Sequence, residues 1–566
     1  MDRGAARGDP QLTTSTQRRL PSSAAAFWIA FAVFGLLASI WSLASPVFSV
    51  PDENAHATKA IAQVRGQVIG YTLPGVKHII VDLPDGFEYD PNIVCFATRP
   101  TQTADCGGAE LGDEAGTPTF NTWVGAYNPV YYYLVGWPSL LTDGNAAVYA
   151  MRIASSLLGA LLLAWAFQAA VAARRARWMP LALVFVAGPM NLYLIGSVNP
   201  NGAELAAGVL LWVSLLRLLE SFRGDPVRRA AAVRAPALPR WYLWLMVTTA
   251  ALVLVNARAL GPLWLVVIVG LCFLASGWHA VRGLFTARIS YAWLAAIAVG
   301  GLFSLGWTLS GGSLSNQAEP TDAPLVGGTF LQGFLHTIRT TPLYLQQAIG
   351  FFGWLDTTLP VWVYWLFIAA FAVIVLLGFA ATRARSVVAL GAVMVSALLV
   401  PALVQGYSVG QTGIIWQGRY ALFLYLGIAV MAGWVLSRDA PRASFLAPRM
   451  TWIGAGLLAA YGVVAFLFVL VRYVVGEGTP LGTMLTAPHW QPPLGWPTLA
   501  VAYTIASAGL VVLVGMAARS IDRREAGAWD GADDDAAPLA GTAHMGQVPM
   551  ESDADALTIG NRVREE

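Results

Sequence analysis

The chain has 566 residues, of which 57% are hydrophobic and only 12% charged, with a mean hydropathy of +0.59. A soluble domain carries about 25% charged residues, so the composition excludes a water-soluble globular protein and indicates a polytopic membrane protein. The net charge is only +2 and lysine is confined to Lys59 and Lys77 among many arginines, a bias of genome composition rather than the mark of a nucleic-acid partner.

Residues 1–23 are polar, with Arg3, Arg7, Arg18 and Arg19, and read as a disordered cytoplasmic arm. The apolar run 24–50 is too long for a signal-peptide core and lacks a small-residue cleavage site, so it is expected to remain as a first span. At its end stands Ser49-Val50-Pro51-Asp52-Glu53-Asn54-Ala55-His56. Ionisable groups at membrane depth are costly and are usually retained for function. If the segment is helical from Pro51, Asp52 and His56 share a face, with Glu53 one step round. That set suits a metal, a metal-bridged phosphate or a general base. It equally suits a plain helix start whose acids complement the helix dipole.

Residues 51–128 form a polar loop rich in Gly, Pro, Asp and Thr, long enough to need structure of its own. Cys95 and Cys106 both lie in it and suit a disulfide if the loop faces an oxidising compartment; free thiols are the alternative. Cys272, inside an apolar span, reads as core packing. The element opening Asn128-Pro129-Val130-Tyr131-Tyr132-Tyr133 runs only to Leu141, too short for a bilayer core of roughly 30 Å. It is therefore expected to be an interfacial helix with tyrosines at headgroup level, or with rings that stack on a sugar. This makes 51–145 the first extracytoplasmic loop.

Further spans are expected near 146–173, 179–197, 203–222, 240–257, 261–278, 290–310, 359–380, 386–404, 417–437, 451–471 and 498–518. With them the arginine-rich connections fall inside: Arg174, Arg175 and Arg177, then Arg223, Arg228, Arg229, Arg234 and Arg240, and later Arg282, Arg288, Arg383, Arg385, Arg438, Arg442 and Arg449. The expected fold is an all-α polytopic membrane protein of about 12 transmembrane helices, 24–520, with both termini cytoplasmic. Two more outer loops, 311–358 and 473–497, complete the extracytoplasmic side, and 328–351 in the former is mildly amphipathic. The acidic tail 521–566 reads as disordered.

Several polar residues fall at the outer ends of spans. Arg419, in Trp416-Gln417-Gly418-Arg419-Tyr420, can hold a phosphate bidentately or snorkel to headgroups. Arg258, between two tightly joined spans, offers the same choice. Asn199-Pro200-Asn201-Gly202 is a turn that can also line a cavity. Asp356 either serves the site or caps its helix, while His336 and His489 read as solvated. No Walker-type loop, zinc spacing or serine-nucleophile motif is present, which argues against an ATP-driven pump and a serine hydrolase. Carboxylates and arginines at one mouth suit an anionic lipid substrate, with cations on the phosphate and a carboxylate taking a proton from an incoming hydroxyl.

The order Pro51-Asp52-Glu53-Asn54-Ala55-His56, Asn128-Pro129-Val130-Tyr131-Tyr132, Gly353-Trp354-Leu355-Asp356 and Gln417-Gly418-Arg419-Tyr420 resembles the GT-C superfamily of integral-membrane glycosyltransferases. More narrowly, it resembles a bacterial family of predicted membrane proteins of unknown function, over roughly residues 24–520. The resemblance implies a GT-C-like fold in the bacterial cytoplasmic membrane. It also implies transfer of a hexose or pentose from a polyprenyl-phosphate donor to a cell-envelope glycan or glycolipid on the extracytoplasmic face. Asp52 would be the base, with Glu53 assisting, and Asp52, Glu53 and His56 would be the ligands if a divalent metal takes part. Arg419 would match a donor-phosphate contact, a role that Arg258 shares by its place at a span end rather than by the resemblance, and Asn128, Tyr131, Tyr132 and Asp356 would contact the substrate. Relatives often carry His-Pro-Pro where this chain has Tyr127-Asn128-Pro129, so no histidine role is expected there. The competing reading is a non-enzymatic transporter or flippase of a lipid-linked polysaccharide, and a scaffolding membrane protein is a third.

Overall fold

The computed structural model describes residues 23–76, 78–173, 175–222, 238–312, 323–381, 383–439 and 445–534. The arm expected at 1–23, save its last residue, lies outside them, as do Arg174, Arg223, Arg228, Arg229, Arg234, Arg442 and the tail beyond 534. The chain divides into a unit of residues 1–525 and a short second unit, 526–566, described only where its first residues continue the last helix.

The fold is mostly helical. In chain order come α1 (Ser23–Ala44), α2 (Glu53–Gln63), β1 (Ile79–Asp82), β2 (Thr119–Thr122), α3 (Val130–Gly136) and α4 (Gly144–Val171). Then follow α5 (Met179–Val184), α6 (Pro189–Ile195), α7 (Pro200–Ser221), α8 (Arg240–Ala257), α9 (Gly261–Ser276), α10 (Trp278–Thr286) and α11 (Arg288–Ser310). After α12 (Phe330–Gly350) and the short ribbon β3 (Phe351–Phe352) and β4 (Thr357–Thr358) come α13 (Val361–Phe379), α14 (Ala384–Thr412) and α15 (Leu422–Asp439). The chain finishes with α16 (Ala447–Val474), α17 (Leu481–Thr486) and α18 (Trp496–Asp534).

Among the described residues, ten helices are long and apolar enough to cross a membrane, or eleven if α9 and α10 count as one broken span. The expectation of twelve differs at two places. The run 179–197 is interrupted between α5 and α6, where Pro189 cannot donate its backbone nitrogen and Gly188 ends the preceding turn. The side chain of Asn191 donates to the carbonyls of Phe185 and Val186 at 3.2 and 3.1 Å, replacing bonds the break removes. The run 261–278 is the second place: α9 is only 16 residues long, and α10 leaves it at 117° after Gly277, whose φ of +81° a side chain would oppose.

The core lies along α7. It is buried all round its hydrophobic surface, whereas α11 and α13 leave most of theirs exposed, as lipid-facing helices do. α1 and α4 pack side by side over their length, with Gly35 against Ala160 letting the backbones approach. The helix α12 carries Pro342 and is too polar to count as a span; a capping box at Thr329 and Gln332 starts it.

The first long loop has a core of its own. β1 and β2 pair antiparallel with Ile79 opposite Thr122, and Val81, Phe87, Tyr89, Leu111 and Phe120 are buried against Ala57 and Ile61 of α2. Cys95 and Cys106 are disulfide-bonded, Cα to Cα 5.4 Å. The tail expected to be disordered from 521 instead begins as helix. α18 continues to Asp534, with Arg177 paired to Asp522 and Glu525 and the Ala176 amide donating to Glu525.

Closing a loop of this size by a disulfide stabilises a fold by about 2–3 kcal/mol. The double variant Cys95→Ser/Cys106→Ser is expected to lower the Tm of the detergent-solubilised protein. Adding reductant to the wild type should lower it by the same amount.

Candidate functional site

The turn between α1 and α2, residues 45–52, is held by its main-chain oxygens. Arg152 of α4, fully buried, donates from Nη1 to Ser42 and Ser45 O at 2.9 and 2.7 Å and from Nη2 to Pro46 O at 2.7 Å. Its Nε and second Nη2 hydrogen go to the two carboxylate oxygens of Glu53, at 2.7 and 2.5 Å. All five N–H groups of the guanidinium are thus used. Trp354 Nε1 takes Phe48 O at 3.0 Å, Tyr193 takes Ser49 O at 3.1 Å, and Asn199 takes Pro51 O at 3.1 Å.

This grip separates the two adjacent acids. Glu53 is fully buried, and its Oε1 also accepts the Val198 amide at 2.9 Å, so both its oxygens are engaged by the scaffold. Asp52 stands outside the helix as its N-cap, at φ +67°, so α2 begins at Glu53 and not at Pro51. An L-residue in this left-handed region costs about 1–2 kcal/mol, least for Asp, Asn and Gly. Its carboxylate turns away from the helix dipole to form an ion pair with Arg419 and stays 29% exposed, against 5% for the arginine. One acid is spent inside the scaffold and the other keeps partial exposure to its surroundings.

A second cation stands beside the first. Arg258, at the C-terminus of α8, bonds to Asn201 Oδ1 and to the Tyr127 phenol, and lies 4.4 Å from the ring centre of Tyr420; Arg419 lies 5.3 Å from the same ring. Desolvation works against the charge of Arg258, but Tyr127, Tyr420 and Glu204 outweigh it and hold the pKa above the usual arginine value. His56 is buried and shares a 2.8 Å hydrogen bond between Nδ1 and the Tyr132 hydroxyl. Burial, then the positive charges of Arg258, Arg419 and Lys59, holds its pKa well below the ordinary value, so the ring is neutral at neutral pH. Lys59 donates to Val68 O and Gly125 O at 2.9 and 2.6 Å, and burial brings its pKa down to about 7.

The other expected site residues are placed differently. Tyr131 and Tyr132 are buried, not at a headgroup surface; α3 turns them onto Ser155 and His56 and leaves Tyr133 exposed. Asn128 is bonded to Asn256 at 2.9 Å and caps the Val130 amide. Asp356 is paired with buried Arg472 of α16 at 3.0 Å, and the same guanidinium donates to Phe96, Arg99 and Gln102 O of the disulfide loop. It therefore belongs to a fastening between that loop and α16.

As a metal set, Asp52, Glu53 and His56 do not converge: their polar atoms face Arg419, Arg152 and Tyr132 respectively. No group of three or more His, Cys, Asp or Glu side chains among the described residues is arranged to hold a metal ion. The residues present therefore do not fit a bound metal here.

Four side chains of this region escaped the sequence reading in their roles: Arg152, Tyr127, Tyr420 and Glu204. The signal for two of them was present, since Arg152 and Glu204 are charged residues within apolar helices.

Removing one partner of a buried ion pair costs about 3–5 kcal/mol, while replacing both by apolar groups costs far less. Arg152→Met is expected to be severely destabilised or poorly expressed, and Arg152→Met/Glu53→Leu to regain part of the loss in thermal unfolding. Lys59 gives a pH signature. Its unfolded pKa is about 10.4, so between pH 7 and about 10 the unfolded chain holds a proton the folded chain has released, and stability rises with pH in that window. Lys59→Met is expected to flatten the rise in Tm between pH 7 and 9.

No curated protein and no solved structure matches the chain. A family model described as predicted membrane protein (DUF2142) matches residues 34–428, well over half its length. The chain belongs to this family of predicted membrane proteins.

Proposed function

We propose that this protein is a membrane glycosyltransferase of the GT-C type that moves a sugar from a polyprenyl-phosphate donor to a cell-envelope glycan or glycolipid. The observation that carries the proposal is the contrast within Asp52-Glu53: Glu53 is spent on the buried Arg152, while Asp52 is held outside the helix, partly exposed, against Arg419. An acid held in a strained conformation at an opening, with two arginines around one tyrosine ring beside it, suits proton abstraction next to an anion.

In this reading Arg419 and Arg258 hold the donor phosphate. The phosphate competes with Asp52 for Arg419, which frees the carboxylate as donor binds. Asp52 then takes the proton of the acceptor hydroxyl, whose oxygen bonds to the anomeric carbon. The bond from that carbon to the phosphate oxygen breaks, and the electron pair leaves with the polyprenyl phosphate. His56, neutral, supports the polar wall through Tyr132. This reading requires both termini in the cytoplasm and the site on the extracytoplasmic face of a bacterial membrane, an orientation supported by the arginine-rich connections.

The second reading, a lipid-linked glycan transporter or flippase, is favoured by one observation. Interrupted helices such as α5–α6 and the α9–α10 pair recur at transporter binding sites. Purified protein in nanodiscs, given polyprenyl-phosphoryl sugars and envelope-glycan acceptors, separates the two. Wild type is expected to consume donor, Asp52→Asn to lose at least about 100-fold in rate while still folding and inserting in the membrane, and Arg419→Lys to raise the donor KM. Donor left intact by the wild type but moved between leaflets would favour the transporter. Equal rates for wild type and Asp52→Asn would remove Asp52 as the base.

A further inference from the structure

Among the described residues of the site region, one further acid has a buried carboxyl oxygen without a hydrogen-bond partner. Glu204 lies in the first two turns of α7, three residues after Asn201, so the two share a helix face. Asn201 bonds to Arg258, and the charge of Glu204 acts on the same guanidinium. Glu204 is only 2% exposed, yet its Oε1 has no hydrogen-bond partner. The two acids of the motif are engaged: Glu53 by Arg152 and Val198, and Asp52 by Arg419. A buried carboxyl oxygen without a partner costs free energy, and such a group is retained where something else completes it.

The missing partner is a hydrogen-bond donor next to a cation. A phosphate group supplies negative oxygens, which suit Arg258 and not Glu204. A sugar attached to that phosphate supplies hydroxyl donors within a few bonds of it. We propose that Glu204 is a specificity residue that accepts a hydrogen bond from a hydroxyl of the donor's sugar while Arg258 holds the adjoining phosphate. The assignment rests on the glycosyltransferase reading and deepens it. Glu204 distinguishes the loaded lipid from the bare polyprenyl phosphate left after transfer, because a polar group built to meet a hydroxyl discriminates against a ligand that lacks one.

The test measures binding, by full-length protein in nanodiscs, of a polyprenyl-phosphoryl hexose, a polyprenyl-phosphoryl pentose and bare polyprenyl monophosphate. The wild type is expected to prefer one of the sugar esters over the monophosphate. Glu204→Met should weaken that ester by about tenfold or more relative to the monophosphate, the worth of a hydrogen bond to a charged group. Glu204→Gln, which keeps an acceptor and the side-chain shape, should fall between the two and carries the test if the methionine variant does not fold. Variants that weaken all three lipids equally, or match the wild type on all three, overturn the assignment. So does a wild type that holds the monophosphate as tightly as either ester, although the phosphate site then stands. A wild type that binds none of the lipids removes the glycosyltransferase reading and the Glu204 assignment with it.

Discussion

The buried pair of Arg152 and Glu53 is the constraint on which the site depends. A charge taken out of water into a bundle of apolar helices must have its hydrogen-bonding capacity met, or the fold does not tolerate it. Here one guanidinium meets two carboxylate oxygens and three main-chain carbonyls, and so joins the end of α1, the start of α2 and the first third of α4. The angle at which the chain leaves its first span is thereby set. With Glu53 fixed inside, its neighbour has one direction left, and the left-handed backbone of Asp52 aims its carboxylate at Arg419.

The surrounding side chains repeat that logic at lower energy. Tyrosines supply much of the polar wall: Tyr127 and Tyr420 border Arg258, and Tyr132 orients His56. A phenol can satisfy a buried cation or imidazole without adding a formal charge of its own. Arg258 and Arg419 stand beside this wall, and next to these cations a neutral histidine is stable.

The membrane character, the first span and the acidic motif at its end were legible because hydropathy stops abruptly at Pro51-Asp52-Glu53. The division of labour between the two acids was not, since it depends on an arginine 99 positions away whose only local signal is a charge inside an apolar run. Arg258 and Arg419 could be picked out as cations at span ends, but their convergence on Tyr420 is a tertiary fact. The tyrosine run was misread for a physical reason. An interfacial signature counts aromatic residues without asking which way each ring points, and α3 directs two of the three inward. The interruption at Gly188-Pro189 was written in the sequence, yet a window of hydropathy averages over it.

The hold on the turn between α1 and α2 falls on carbonyl oxygens, which every residue type possesses. Its sequence requirement is therefore displaced from the turn to the donors that reach it: Arg152, Tyr193, Asn199 and Trp354. Within the family, a reader searching for the determinants of this geometry by comparing the turn itself would look in the wrong place. The information that shapes the mouth of the first helix is stored in four other parts of the chain, and drift in those donors, more than drift in the turn, would re-aim Asp52.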